Sequence, residues 1–198
     1  LLSRRQRQMC IRDRDMTVHY SVTGYLNKKF THPGFTNAII KYPFPTFRLA
    51  ELYLNYAEAL IEIGGSNNLK IAKEYMDKVR KRAGIPGVDE SIQKYANDEW
   101  KGKENEQETL RQFVRQERQI EFYLEGQRFW DLRRWKIAEK LDEPFLCWNI
   151  EGASVEEFFK APQPNMTLTN HFYKSQYLLP ISASELEKTP QIIQNPFY

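Results

Sequence analysis

Cysteine and histidine are scarce in this chain: two and three among 198 residues. Cys10 and Cys147 stand far apart, with neither metal-ligand spacing nor a disulfide framework. His19, His32 and His171 are scattered and make no zinc pattern. No metal and no cofactor is expected. Excess charge is lacking too. The formal net charge is +3, and Arg4, Arg5, Arg7, Arg12 and Arg14 sit in the first 14 residues, so the remainder is nearly neutral. A nucleic-acid partner would need a basic patch on the folded part, so nucleic acid is not expected as a partner. No apolar run approaches the roughly 20 residues that span a bilayer. No export signal is legible either: Cys10 follows Arg7-Gln8-Met9 with no apolar segment ahead of it, which fails as a lipid-attachment site. Residues 1–14 have no apolar period of either kind and are expected to be non-native or disordered.

Aromatics, by contrast, are plentiful, with 12 Phe, 11 Tyr and 4 Trp. Some of them must fill a core. Others suit a ligand surface, because a ring can stack on the apolar face of a sugar while its edge stays wet.

The first clear helical period begins near Thr46. Leu49, Leu52, Tyr53, Tyr56, Ala59, Leu60 and Ile63 recur at three and four. Gly64-Gly65 ends that run, and Ser66-Asn67-Asn68 supplies a turn and caps. Leu69, Ala72, Tyr75, Met76 and Val79 form a second run that stops at Ala83-Gly84, with Pro86 beyond it. The two runs predict an antiparallel helix hairpin over about 47–83. Ala72, Met76 and Val79 have the small–large–small spacing of a tetratricopeptide second helix, so the hairpin reads as a degenerate repeat. A short helix is expected over 91–99 and long helices over about 107–140. Residues 142–176 read as a loop excursion with several prolines, and 177–198 as an extended tail. Ahead of the hairpin, 17–23 reads as a strand and His32-Pro33-Gly34 as a turn.

The stretch from Glu117 to Trp135 carries the strongest signal. On a helix that takes Leu110 as zero, Phe113, Val114, Leu124, Leu132 and Trp135 fall within about 60° of it. Glu117, Glu121 and Arg128 fall there too. Ionised groups on an apolar stripe need partners, since an unpaired buried charge costs several kcal/mol. Arg118 with Glu121, Glu125 with Arg128, and Arg128 with Asp131 are spaced to meet along one helix; other partners must come from neighbouring elements. Glu117, Arg118, Glu121, Glu125, Arg128 and Asp131 are therefore expected to form a structural ion-pair network. Two close carboxylates could also act as acid and base. Here they alternate with arginines, which hold acids ionised rather than tune them toward neutral pH, so no catalytic residue is assigned.

Several runs resemble the signatures of the SusD/RagB family. Arg48-Leu49-Ala50-Glu51-Leu52-Tyr53-Leu54-Asn55-Tyr56-Ala57-Glu58-Ala59 is similar to the first, and Val79-Arg80-Lys81-Arg82-Ala83-Gly84 to the second. Glu117-Arg118, Glu121, Glu125-Gly126, Arg128, Asp131-Leu132 and Arg134-Trp135 resemble the third. Leu179-Pro180-Ile181, Glu185 and Gln194-Asn195-Pro196-Phe197-Tyr198 resemble the ending, with Phe197 where the family usually has glycine. The resemblance implies a mainly α fold of tetratricopeptide-like helix hairpins with long irregular loops, here its C-terminal half. It implies a cell-surface, outer-membrane lipoprotein of Bacteroidota that binds oligosaccharides, or peptides in the RagB branch. It also implies a SusC-like TonB-dependent transporter as partner, and no enzymatic activity. Contact with the membrane would run through a lipid anchor missing from this chain, with the export signal and first helix pairs expected upstream.

A sugar site needs aromatic platforms beside amides in a shallow cleft. Trp148 with Asn149, Trp100 and Tyr173 are the candidates, all in expected loops, and each of these rings could instead be packing. A different class of function stays open: a helical repeat scaffold that binds a partner protein and no glycan.

Overall fold

The structure, a computed structural model, describes residues 23–25, 27, 29–30, 45–95, 105–152, 154–164 and 170–198. Trp100, the His32-Pro33-Gly34 turn, residues 1–14 and, apart from Thr23, the strand expected over 17–23 lie outside the described residues. The chain divides into two units, His32–Trp130 and Leu1–Thr31 with Asp131–Tyr198, each described by itself below.

Helix α1 (Leu49–Ile63) and helix α2 (Ser66–Ala83) form the hairpin that the periodicity predicts. Gly64 and Gly65 make the connection between them, both at positive φ. At the far end Gly84 takes φ 70° and ψ 29°, and its N–H caps the carbonyls of Arg80 and Lys81. An L-residue enters that left-handed region at a cost, which is why glycine ends the helix there. Helix α3 (Val88–Tyr95) starts a few residues earlier than expected. Its first amide donates to Asp77 Oδ1 of α2 at 2.8 Å. Helix α4 (Glu106–Glu121) is capped by Asn105, whose side chain accepts from Glu108 N at 2.8 Å. Acids in the first turn suit the positive end of the helix dipole.

These four helices enclose one core. Ala50, Leu54, Ala57 and Ile61 of α1 meet Leu69, Ala72, Met76 and Val79 of α2, with Val88 of α3 and Leu110, Phe113 and Val114 of α4. Alanine at 57 and 72 lets the hairpin helices approach closely. The lysines and acids of α2, Lys70, Glu74, Lys78 and Lys81, are left exposed.

The helices expected over about 107–140 come in pieces. α4 ends at Glu121, five residues before Gly126, and a turn intervenes before helix α5 (Gln127–Arg134) and a 3-10 turn over Ala138–Asp142. Leu124 sits in that turn at φ 62° and is half-exposed, so it leaves the stripe on which a continuous helix would place it. Phe122 explains the break. Its ring is buried, and the guanidiniums of Arg48 and Arg118 lie 5.6 and 5.1 Å from its centroid. Tertiary contact here overrides a sequence that could continue as helix.

In the other unit, residues 142–176 hold more structure than a bare loop. Strand β1 (Leu146–Cys147) pairs antiparallel with β2 (Gln163–Pro164), and the short helix α6 (Val155–Phe158) lies between them. A 3-10 turn follows at Lys174–Tyr177, and helix α7 (Ala183–Lys188) interrupts the extended tail. Side chains tie that tail to itself. The Gln194 amide bonds both backbone groups of Ile181, each at 2.9 Å. Asn195 Nδ2 donates to Leu179 O at 2.6 Å and Tyr198 OH to Leu178 O at 3.2 Å. The Gln-Asn-Pro-Phe-Tyr ending thus replaces a strand partner with amide side chains.

Candidate functional site

In the first unit, the acids of α4 meet arginines from three directions. Arg80 of α2 reaches Glu117 by a short charge-assisted bond. Its other nitrogens donate to Pro86 O and Ser91 Oγ, both at 2.6 Å. Arg80 and Glu117 are both buried. Burial pushes the Glu117 carboxyl above its ordinary value, and the Arg80 guanidinium pulls it the other way. Arg48 donates to Glu121 at 2.6 Å and to Glu125 at 2.7 and 2.9 Å. Arg82 adds a bond to Glu121 at 2.6 Å. Burial alone would raise the Glu121 carboxyl, but the bonds from Arg82 and Arg48 together bring it below the ordinary range. Arg118 is 3% exposed and turns back to α1, to Glu58 at 3.5 Å and to Asn55.

Glu117, Arg118, Glu121 and Glu125 thus each have a partner on another element: Arg80, Glu58 and Asn55, Arg48 with Arg82, and Arg48. Two further bridges sit at the rim. Arg111 binds Glu62 of α1 at 2.7 and 2.8 Å, and Lys73 spans Asp89 of α3 and Glu106 of α4. On α5, Asp131 is 3% exposed and paired with Arg134 at 2.8 and 2.9 Å; Arg128 is half-buried. Acids saturated by fixed guanidiniums are poor proton carriers near neutral pH.

A cavity of about 480 Å³ opens beside the Arg80–Glu117 pair, between α2, α3 and α4. Its walls are largely apolar, from Val79, Ala83, Ile85, Pro86, Phe113 and Ile120. Sequence reasoning missed it, because its walls come from two stretches of chain, 79–91 and 113–121, that share no spacing.

In the second unit, Trp148 stands in an aromatic cluster. Tyr25 lies at 5.9 Å, Phe159 at 5.4 Å edge-on, and Phe158 at 6.5 Å with planes 22° apart. The Trp148 amide donates to Thr23 O at 3.0 Å. Its ring is half-buried, so much of the face that sequence reasoning offered to a sugar is covered by other rings. Asn149 is exposed, and its Oδ1 accepts from Glu151 N at 3.2 Å, closing the turn after Trp148. Tyr173 is 65% exposed and starts the 3-10 turn, where its amide bonds Gln176. Cys147 beside Trp148 is a buried free thiol.

A second cleft of about 450 Å³ opens in the same unit. Arg133, Lys136 and Lys174 supply its charge, and Tyr177 and Phe197 supply its rings. The Tyr177 hydroxyl accepts from Ala138 N at 3.0 Å and bonds Glu139. Among the described residues no cluster of His, Cys, Asp and Glu could hold a metal ion, and no helix is long and apolar enough to cross a membrane.

Comparison with known proteins gives one consistent answer. The SusD family profile matches residues 12–198. The SusD-like protein P25 of Formosa agariphila is 29% identical over 151 residues, which are 75% of this chain and 23% of that protein. The crystal structure of a SusD-like protein (BF3747) from Bacteroides fragilis superimposes with a TM-score of 0.56 at 27% identity, over 77% of this chain and 25% of that one. The protein BT4246 does so with a TM-score of 0.57 at 33% identity, over 77% of this chain and 23% of that one. The chain spans about a quarter of the length of the relatives it matches.

Proposed function

Since this chain belongs to the SusD family, we propose that it is the helical scaffold portion of a non-catalytic, cell-surface glycan-binding protein. In that reading the full-length protein is held to the outer membrane by a lipid anchor and passes oligosaccharide to a SusC-like TonB-dependent transporter. The observation that carries it is the family match over nearly the whole chain, joined to an interior in which every acid of the third signature from Glu117 to Glu125 serves as a cross-link.

The scaffold reading sets a division of labour. The unit with α1 to α4 holds shape, and its buried charges are spent on helix contacts. The other unit carries loops, exposed rings and exposed amides such as Asn149, the kind of surface a sugar binds. Asn149, the open edge of Trp148, and Tyr173 are the groups we assign to ligand contact there. Trp100, the fourth candidate, belongs to the same proposal and lies outside the described residues. The cleft with Phe197 and its three cations would favour a ligand with negative or hydrogen-bond-accepting groups.

Affinity purification of the full-length protein from outer membranes tests the partner. Recovery of a large TonB-dependent barrel supports the reading, and recovery of a soluble protein in its place overturns it. Calorimetry against a panel of oligosaccharides tests the ligand class: binding of peptides and no glycan would transfer the protein to the RagB branch. Cleavage products on incubation with polysaccharides would overturn the non-catalytic assignment.

A further inference from the structure

The cleft of about 450 Å³ in the second unit holds two residues in a strained backbone conformation. Among the described residues, four that are not glycine take positive φ: Phe30, Leu124, Lys136 and Phe197. Lys136 at 52° and Phe197 at 75° both line this cleft. Strain of that kind persists only where the surroundings fix it, and it gathers at ligand clamps. Here they do fix it. Asn195 and Tyr198, on either side of Pro196-Phe197, bond the carbonyls of Leu179 and Leu178. At the end of α5, Lys136 N donates to Arg133 O and Ile137 N to Leu132 O, both at 3.0 Å. The strain at Phe197 brings the fold little in return, since the ring stays largely open to solvent.

The charge of the cleft is one-sided. Arg133, Lys136 and Lys174 line it against one acid, Glu139. Glu139 accepts from the Tyr177 hydroxyl, which itself accepts from Ala138 N, so the acid is tied to the wall. Arg133 Nε donates to Gln176 O at 3.0 Å, and its guanidinium lies 5.6 Å from the Phe172 centroid. Lys136 and Lys174 are exposed. Arg133 and Lys136 also suit the negative end of the α5 dipole; Lys174, at the start of a 3-10 turn, does not.

A pyranose offers an apolar face to an open ring. An acidic pyranose adds a carboxylate or a sulfate, and charge-assisted bonds to such groups are roughly twice as strong as neutral ones. A neutral sugar would use the ring and leave three cations idle. The volume lies within the roughly 300–1,000 Å³ of small-molecule sites. On the reading that the protein binds glycan, we infer that this cleft is a subsite for an acidic sugar unit, stacked on Phe197 with its anionic group held by Arg133, Lys136 and Lys174. The glycan class is then an acidic one.

Calorimetry on the full-length protein tests this with hexasaccharides of equal length: an oligogalacturonate, a sulfated galactan fragment and a neutral galactan fragment. At least one acidic fragment is expected to bind on the order of tenfold tighter than the neutral one, with the preference shrinking as salt is raised to about 0.5 M. A preference for the oligogalacturonate alone identifies a carboxylate and one for the sulfated fragment alone a sulfate ester; either supports the subsite. Phe197→Gly and Lys174→Gln are each expected to weaken acidic binding roughly tenfold without lowering the melting temperature. Lys188→Gln, which removes an exposed lysine of α7 outside the cleft, should leave it unchanged. Equal binding of all three fragments overturns the acidic-sugar inference and leaves glycan binding standing. Wild-type affinity in both Phe197→Gly and Lys174→Gln overturns the subsite. Binding of a poly-glutamate peptide and of no oligosaccharide overturns the inference and the glycan reading together.

Discussion

Arg48 stands one residue ahead of α1 and donates from Nη1 to Glu121 Oε1, at the last residue of α4, at 2.6 Å. The same guanidinium holds Glu125 through Nε and Nη2 and lies over the Phe122 ring. One side chain therefore joins the start of the hairpin, the end of α4 and the turn beyond it. Arg48→Ala leaves two partly buried acids without this partner, and the expected loss is on the order of 3 kcal/mol. Arg48→Lys keeps the charge but loses the fork, and is expected to recover less than half of it. Urea unfolding of the full-length protein measures both; an unchanged midpoint for Arg48→Ala would remove the residue from the account.

Acid should weaken this scaffold. Glu121 and Glu62 have depressed carboxyls, so each contributes stability that is present above the ordinary value of about 4.3 and lost as pH falls through the lower folded value. Glu117 is raised and acts oppositely: its contribution is full below about 4.3 and lost as pH rises through the folded value. Unfolding free energy is thus expected to decline as pH falls from about 4.3 through the lowered folded values of Glu121 and Glu62. Glu121→Gln should flatten that decline and Glu117→Gln should steepen it. A decline that Glu121→Gln leaves equally steep contradicts the assignment.

Phe197 sits at φ 75°, where the resemblance places glycine. A bulky residue in the left-handed region is strained by about 1–2 kcal/mol, and the Phe197 ring is 74% exposed, so it recovers little by burial. Phe197→Gly is expected to stabilise the tail by up to about 1 kcal/mol. Amide exchange at Ile181 and Asn195 reads this directly. Faster exchange in the variant would show that the ring holds the tail.

Gly152 lies under α6. A Cβ there would come within 2.7 Å of Phe158 N and 2.8 Å of the Glu157 carbonyl carbon, both backbone, so neither can swing aside. Gly152→Ala is expected to cost about 1–3 kcal/mol and to loosen the cluster of Trp148, Phe158 and Phe159. Trp148→Ala removes a half-buried ring from the same cluster, and about 3 kcal/mol of local stability should go with it. Thermal melts of the two variants check this. Trp148→Ala with the melting temperature of the wild type would free the ring for the ligand.

The hairpin was legible because its signals are local. Leu49 to Ile63 repeats at helical spacing, Gly64-Gly65 punctuates it, and Gly84 closes α2 where a left-handed residue is required. That Glu117 and Glu121 share the stripe of Leu110 and Phe113 was also readable, since face is a matter of period. Their partners were not. Arg80 and Arg48 lie 37 and 73 residues away, and nothing in the spacing selects them over a neighbour one turn along. The end of α4 was unreadable for a similar reason: Phe122-Tyr123-Leu124 suits a helix, and what stops it is Phe122 beneath the guanidiniums of Arg118, one turn back, and of Arg48, from a distant segment. Trp148 looked like an open platform because Tyr25, Phe158 and Phe159 converge on it only in three dimensions.

Buried ion pairs act as cement between the helices, and the Arg80–Glu117 pair tests this most directly. A double-mutant cycle with Arg80→Met and Glu117→Leu in the full-length protein isolates the coupling. Each single change strands a buried charge and should cost about 3–5 kcal/mol, while the double change strands none and should cost far less than their sum, a coupling of at least about 2 kcal/mol. Costs that add to within about 0.5 kcal/mol would mean the two side chains do not hold α2 to α4.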